Sequence, residues 1–339
     1  MKNCDSDIRA YHRERVALTA DQRREMEERR DSNRARLRRG LAKNDDPEPT
    51  RSVEQGSFAM RTVIQEPKRA YDIDDGAVFT EESLRGPFGG EKSSLDARKM
   101  VCDAVHSDSF ATPPEVRTNC VRVYYNDGPH VDIPVYRSLQ DLLGRTYYEL
   151  AGAEWKKSDP DGVNAWFQGW IRQAKANGKR HPRDLIRLLK SICKNRESYS
   201  LPSGFALTVL ITECYQTTHR RLDMDLRGII RAVYARLCSS LWVRHPVVQG
   251  EWLIDADSKN KTRELRDLLG RAVQALSELD RPNCTGAKAL KIWKGVFRTD
   301  FFDERIAEAE REERATTAAA AASLGSAPQP YAHDSAFKR

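Results

Sequence analysis

Apolar and polar residues change period three times along this chain, and each change marks a different kind of element. The first stretch is helical. Mixed charge recurs at helical spacing through Gln22-Arg23-Arg24-Glu25-Met26-Glu27-Glu28-Arg29-Arg30. Thr19 followed by Gln22 forms a capping-box start, so the spacing predicts one long helix to about Leu41. The polar run Asn44–Pro49 then reads as a linker. Beyond it the period drops to two. Tyr71 to Phe79 predicts a strand, and Thr118 to Asn126 alternates Cys120, Arg122 and Tyr124 against Val121, Val123 and Tyr125. Asn126-Asp127-Gly128-Pro129 is a turn signal, and His130 to Arg137 reads as the returning arm of a hairpin. A helix capped at Ser94 and running to about His106 lies between these strands. From Ser158 onward the pattern is helical again. Pro160–Ala176, Arg183–Asn195, Gly204–Tyr215, Leu226–Leu241 and Lys261–Leu279 carry apolar residues three and four apart, with short breaks between them.

These periods predict an α+β fold: a mixed-sheet lobe followed by a C-terminal helical-bundle lobe. The expected division is a packing helix and linker over 1–50, a catalytic core over 51–157, a helical domain over 158–322 and a flexible tail over 323–339. The tail is expected because Glu304 to Ala322 passes from charged helix to alanine run, and Gly325–Pro330 cannot bury enough apolar surface to order.

Composition narrows the class without choosing a function. Charged residues are 32% and apolar residues 39% of 339 positions, enough for a core between polar ends. No run of about 18 apolar residues occurs, so neither a membrane partner nor a spanning segment is expected, and the compartment expected is the cytoplasm. The seven cysteines lack any C-x-x-C pair and read as reduced thiols. The seven histidines show no ligand spacing. Of these, only His130 lies near an acidic strand, where a structural role is the simpler reading. Most of the net charge of +7 lies in the first segment, Met1–Lys43, whose mixed signs at helical spacing describe a solvated face more than a nucleic-acid groove.

The chemistry is carried by acids on strands. In an extended strand, side chains alternate faces, so Asp72 and Asp74 share one edge while Ile73 points to the core and Asp75 to the opposite side. Asp132 sits between Val131 and Ile133, so its side chain belongs on an exposed or liganded face. If its strand neighbours that of Asp72 and Asp74, three carboxylates converge, a donor set suited to two hard divalent cations in phosphoryl transfer. Upstream, Gln55-Gly56-Ser57 forms a corner where backbone N–H groups and a hydroxyl can meet phosphate without an intervening Cβ. The loop Arg85–Lys92 has glycines but no phosphate-binding fingerprint, and it reads as a turn.

Three segments carry a family resemblance: QGSFAMRT (Gln55–Thr62 with its neighbours), YDIDDG (Tyr71–Gly76) and HVDIPVY (His130–Tyr136). In this order they resemble the cGAS/DncV-like nucleotidyltransferases (CD-NTases) of anti-phage signalling, the bacterial cyclic GMP-AMP synthase and its relatives. Ser158-Asp159-Pro160, Leu188-Leu189-Lys190 and Pro202-Ser203-Gly204 resemble that family's entry to its helical domain, its lysine-bearing helix and its serine corner. The resemblance spans roughly Arg51 to Tyr215. It implies a polymerase-beta-like catalytic lobe and Mg-dependent synthesis of cyclic di- or oligonucleotides from NTPs, with ATP and GTP as substrates, in CBASS defence. Asp72, Asp74 and Asp132 would then be the catalytic residues and hold Mg2+, with Mn2+ as the alternative. Gln55, Gly56, Ser57, Ser158, Lys190 and Ser203 would bind nucleotide. Nucleic acid is not required by this reading, and the C-terminal tail could meet ubiquitin-like ligation machinery. The chain departs from the family in a shorter Ser138–Lys157 segment and in Val121, which stands where the family has an arginine. The alternatives are a nucleotidyltransferase acting on RNA or a small molecule, and a non-catalytic RNA-binding protein.

Overall fold

The computed structural model describes residues 2–65, 71–86, 89–108, 111–126, 128–178, 180–194, 196, 198–216 and 221–325. Most of the expected tail, residues 326–339, lies outside them, as does Asp127 in the hairpin turn. The chain falls into two compact units, Asp5–Val273 and, separately, residues 2–4 with the chain from Gln274 onward.

The larger unit begins with a short helix, α1 (Asp5–Tyr11), and a π turn at His12–Val16 that the sequence pattern did not suggest. Helix α2 (Ala20–Lys43) starts on the expected capping box: the Thr19 hydroxyl accepts from Gln22 N, and the Gln22 side chain closes back on Thr19. Strand β1 (Arg51–Gln55) leads directly into the single-turn helix α3 (Gly56–Ala59), and the acidic strand follows as β2 (Asp72–Thr80). Helix α4 (Ser94–Val105) is capped by Ser93, which accepts from Asp96 N, rather than by Ser94. Ser94 is instead buried, its hydroxyl donating to the Gly152 carbonyl. Strands β3 (Glu115–Val116), β4 (Val121–Tyr124), β5 (His130–Ile133), β6 (Val135–Gln140), β7 (Thr146–Ala151) and β8 (Trp155–Ser158) complete an eight-stranded mixed sheet.

The expected arm His130–Arg137 is two strands, because Pro134 has no N–H to give a ladder. Its carbonyl still accepts from Ala77 N at 2.9 Å, so β5 and β6 keep one register along β2. That register is parallel, Asp72 opposite His130 and Asp74 opposite Asp132, then Ala77 opposite Val135. On its other side β2 pairs antiparallel with β1, Gln55 opposite Asp74. The stretch 138–157, short of family expectation, is spent on the hairpin β7–β8.

One face of the sheet is dry. Ile73, Ala77 and Phe79 of β2, with Val121, Val123, Val131, Ile133 and Val135, pack against Met26, Leu37 and Leu41 of α2 and Met100, Val101 and Ala104 of α4. Burial of these aliphatic side chains, each contributing about 1.5–3 kcal/mol, fixes which face β2 turns inward. Asp75 lies on that buried side and is met by Arg34 of α2 through two bonds of 2.7 and 2.5 Å. The even-numbered Asp72 and Asp74 face the other way.

The chain continues into the helices α5 (Pro160–Ala176), which packs on β1, and α6 (Pro182–Lys194), α7 (Gly204–Cys214) and α8 (Leu222–Ser239), which pack on one another, then a small hairpin of β9 (Val243–Arg244) and β10 (Trp252–Ile254) and helix α9 (Lys259–Ser277). Helix α6 is the tie to the catalytic edge. Three of its cations, spaced along one stripe, donate to three successive carbonyls after α3: Arg183 to Met60 (2.9 Å), Arg187 to Arg61 (2.6 Å) and Lys190 to Thr62 (3.2 Å). Each is a charge-assisted bond to a backbone oxygen, so the segment after the Gly-Ser corner is held along its length. The smaller unit contains α10 (Gly286–Phe297), absent from the sequence-based expectation, and α11 (Asp303–Gly325), with Trp293, Phe297 and Phe302 stacked in its core.

Candidate active site

The corner at the end of β1 requires glycine. Gly56 has φ +63, in the left-handed region, and a Cβ there would stand 2.1 Å from Asp74 Oδ2. The bare Cα is therefore what lets the corner approach the acidic strand. Ser57 and Gly56 line one wall of a cavity of about 290 Å³, with Asp72 and Asp74 beside them and Lys190, Lys194, Gly204, Phe205 and Thr208 from α6 and α7 across it. Sheet and helices thus contribute opposite walls of one cleft.

The expected residues divide on this geometry. Gly56, Ser57, Asp72, Asp74 and Lys190 line the cavity; Gln55, Asp132, Ser158 and Ser203 stand outside its lining. Gln55 Oε1 accepts from the Tyr136 hydroxyl at 2.7 Å, and Ser158 also bonds that hydroxyl, so Tyr136 knits the two together behind the corner. Ser203 is exposed and caps α7, accepting from Ala206 N. Lys194, Phe205 and Thr62 were not singled out from sequence. Only the basic stripe of α6 hinted at Lys194.

The three acids occupy neighbouring strands, and their electrostatics differ sharply. Asp74 is pushed up to about 7, first by burial and then by the like charges of Asp132 and Asp72. Burial also works to raise Asp72, but the hydrogen bond and charge of His130, with Arg122 behind them, outweigh it and hold Asp72 below its ordinary value. The His130 Nε2–Asp72 ion pair spans directly opposed residues of β5 and β2. Asp132 is buried, not exposed as its strand pattern suggested, and Arg122 of β4 grips it with Nε to Oδ1 and Nη2 to Oδ2, both 2.7 Å. Across the cleft, burial and the nearby Arg187 lower Lys190 to about 8, opposed by Asp74, while Nζ donates to Thr62 Oγ1 at 3.1 Å. Burial likewise lowers Lys194 to about 8.

Among the described residues, no three acidic, imidazole or thiol side chains already converge as a metal cage. The donor set nevertheless fits a hard divalent cation: its members are carboxylate oxygens, and their mutual repulsion at Asp74 is what a bound cation relieves.

A Gly-Ser corner thus faces acids on parallel strands, with helical cations across the cleft. Residues 50–136 match the family model of the cyclic GMP-AMP synthase DncV-like nucleotidyltransferase domain. Solved structures similar to the chain include the Vibrio cholerae di-nucleotide cyclase DncV, as a mutant in complex with ATP and GTP, at a TM-score of 0.70 and 16% identity over 90% of this chain and 98% of that one. Escherichia coli MS115-1 CdnC with ATP gives 0.65 and 15% over 88% and 98%. Escherichia coli DncV with 3′-deoxy GTP gives 0.65 and 16% over 84% and 92%. These likenesses extend over 84–90% of this chain and are likenesses of fold.

Proposed function

We propose that the chain is a Mg-dependent synthase of cyclic di- or oligonucleotide second messengers, acting on ATP, GTP or both in cytoplasmic anti-phage (CBASS) signalling. The observation that carries this is the cleft: the acidic edge and Gly-Ser corner face half-buried lysines of α6 across one cavity of about 290 Å³. In this reading residues 51–157 form the catalytic core and 158–322 the helical domain.

Each step joins the 3′- or 2′-hydroxyl oxygen of one nucleotide to the α-phosphorus of another. The bond to the β-phosphate breaks and pyrophosphate leaves. Magnesium held by Asp72, Asp74 and Asp132 would neutralise the triphosphate and lower the acceptor hydroxyl's pKa. Gly56 and Ser57 offer backbone N–H groups and a hydroxyl to phosphate oxygens. Lys190 and Lys194, undersolvated in the free protein, gain a phosphate counter-charge on binding. In this reading Asp132 would favour loss of the acceptor proton. Gln55, Ser158 and Ser203 act as nucleotide contacts in the same reading, Gln55 and Ser158 through the Tyr136 cluster and Ser203 from the start of α7.

The test is to incubate purified protein with labelled NTPs and magnesium and resolve the products. Cyclic products with pyrophosphate are expected, and Asp72→Asn should abolish them while the protein stays folded. Absence of any phosphodiester product across all nucleotide mixtures would refute the proposal, and lengthening of an added RNA would favour the RNA-directed alternative.

A further inference from the structure

Each outer acid of the catalytic edge has a basic side chain built opposite it in the sheet. Register alone sets this pairing. Asp132 faces Arg122 across the antiparallel β4–β5 pair, and Asp72 faces His130 across the parallel β2–β5 pair. The row Asp74, Asp132, Arg122 therefore runs straight across three strands. Alternation on β4 sends Val121 and Val123 into the core and leaves Arg122 on the face with the acids.

The geometry at Arg122 is more than a neighbouring charge. Its fork uses both oxygens of Asp132 at equal 2.7 Å distances, and its Nη2 also lies 3.9 Å from Asp72 Oδ1. A planar guanidinium, charged at every working pH, matches a carboxylate in this way where a lysine would make one contact. Asp132 is largely withdrawn from water, so without that partner its charge would be poorly solvated beside Asp74. These bonds take one lone pair on each Asp132 oxygen, so a cation must either displace one of them or settle on a remaining lone pair beside the guanidinium charge, and Arg122 opposes it either way.

We propose that Arg122 is the internal counter-ion of the catalytic edge: it orders Asp132 in the metal-free enzyme and competes with the divalent cation for it. The inference rests on the metal-dependent reading of these acids. Arg122 is a positioning residue in this scheme, setting how tightly metal is held before nucleotide arrives. An arginine there keeps Asp132 aligned, yet leaves the edge only weakly loaded without a triphosphate to share the cation.

The experiment measures binding of Mn2+ alone to the full chain, by electron paramagnetic resonance of the free ion, with thermal unfolding in parallel. Arg122→Gln should bind Mn2+ about tenfold more tightly than wild type, because a repelling charge and a competitor are both removed. Its metal-free Tm should fall, and added Mn2+ should recover more of it than in wild type. Arg122→Lys keeps the charge but not the fork, and its affinity should lie between. Wild-type or weaker Mn2+ affinity in Arg122→Gln would overturn the inference and leave a purely structural ion pair. Should that variant fail to fold, Arg122→Lys decides: tighter binding supports the competition, unchanged or weaker binding overturns it. If wild type and both variants take no Mn2+ even with ATP present, the metal-dependent reading itself falls, a result distinct from metal binding that ignores Arg122.

Discussion

Replacing Gly56 with alanine tests whether the corner and the acidic strand act as one device. Two costs can be separated. The residue sits at φ +63, where a Cβ costs about 1–2 kcal/mol. The new methyl would also lie 2.1 Å from Asp74 Oδ2, whereas ordinary contact begins at 3.4 Å, so corner and carboxylate must part by more than an ångström. Asp74 cannot absorb this freely, since Asp132 and Asp72 already repel it. A misplacement of that size at a reacting centre costs roughly 100-fold in rate. Gly56→Ala should therefore lose about 1–2 kcal/mol in urea unfolding but about two orders of magnitude in turnover of labelled NTP per folded molecule. Gly144→Ala is the control. It has the same kind of backbone, φ +73, with nothing within 4 Å of the added Cβ, and should show similar strain with undiminished turnover. Near-wild-type activity in Gly56→Ala, or a loss no greater than in Gly144→Ala, would refute the reasoning.

Further outcomes follow from the charges. Lys190 titrates at about 8 in the free fold against an ordinary 10.5, so between these values the unfolded chain carries a proton that the folded chain lacks, and stability rises with pH across that window. The same loss of charge should weaken ATP binding, measured by calorimetry, as pH climbs above about 8, whereas Lys190→Met should bind more weakly and keep only the part of that pH dependence that Lys194 supplies. Arg34→Ala strands the buried Asp75 carboxylate on the face of β2 away from the cleft. It should cost about 3 kcal/mol in chemical denaturation while leaving the turnover of the folded fraction intact, and lost turnover in folded protein would contradict the face assignment.

What could be read in the sequence follows from periodicity. A period of two in β2 is enough to put Asp72 and Asp74 together and to send Asp75 to the other side, and the structure adds only that Asp75 meets Arg34. Thr19 and Gln22 announced α2 because a capping box is local chemistry. Ser93 and Ser94 could not be told apart, since either hydroxyl suits a cap until burial against Gly152 claims one of them. The strands β7 and β8 were missed because Thr146–Ser158 is half-buried and mixed in polarity, so its alternation is weak.

The sequence by itself determined helix α2, strand β2 with the shared edge of Asp72 and Asp74, and the glycine at the corner, because these depend on neighbours a few residues away. Only the tertiary structure decided that Asp132 lies opposite Asp74, that Arg122 grips it, and that Lys190 and Lys194 close the cleft. Register between distant strands and the packing of α6 across the sheet come from burying a common core, and no local pattern encodes which cation that burial brings to which acid.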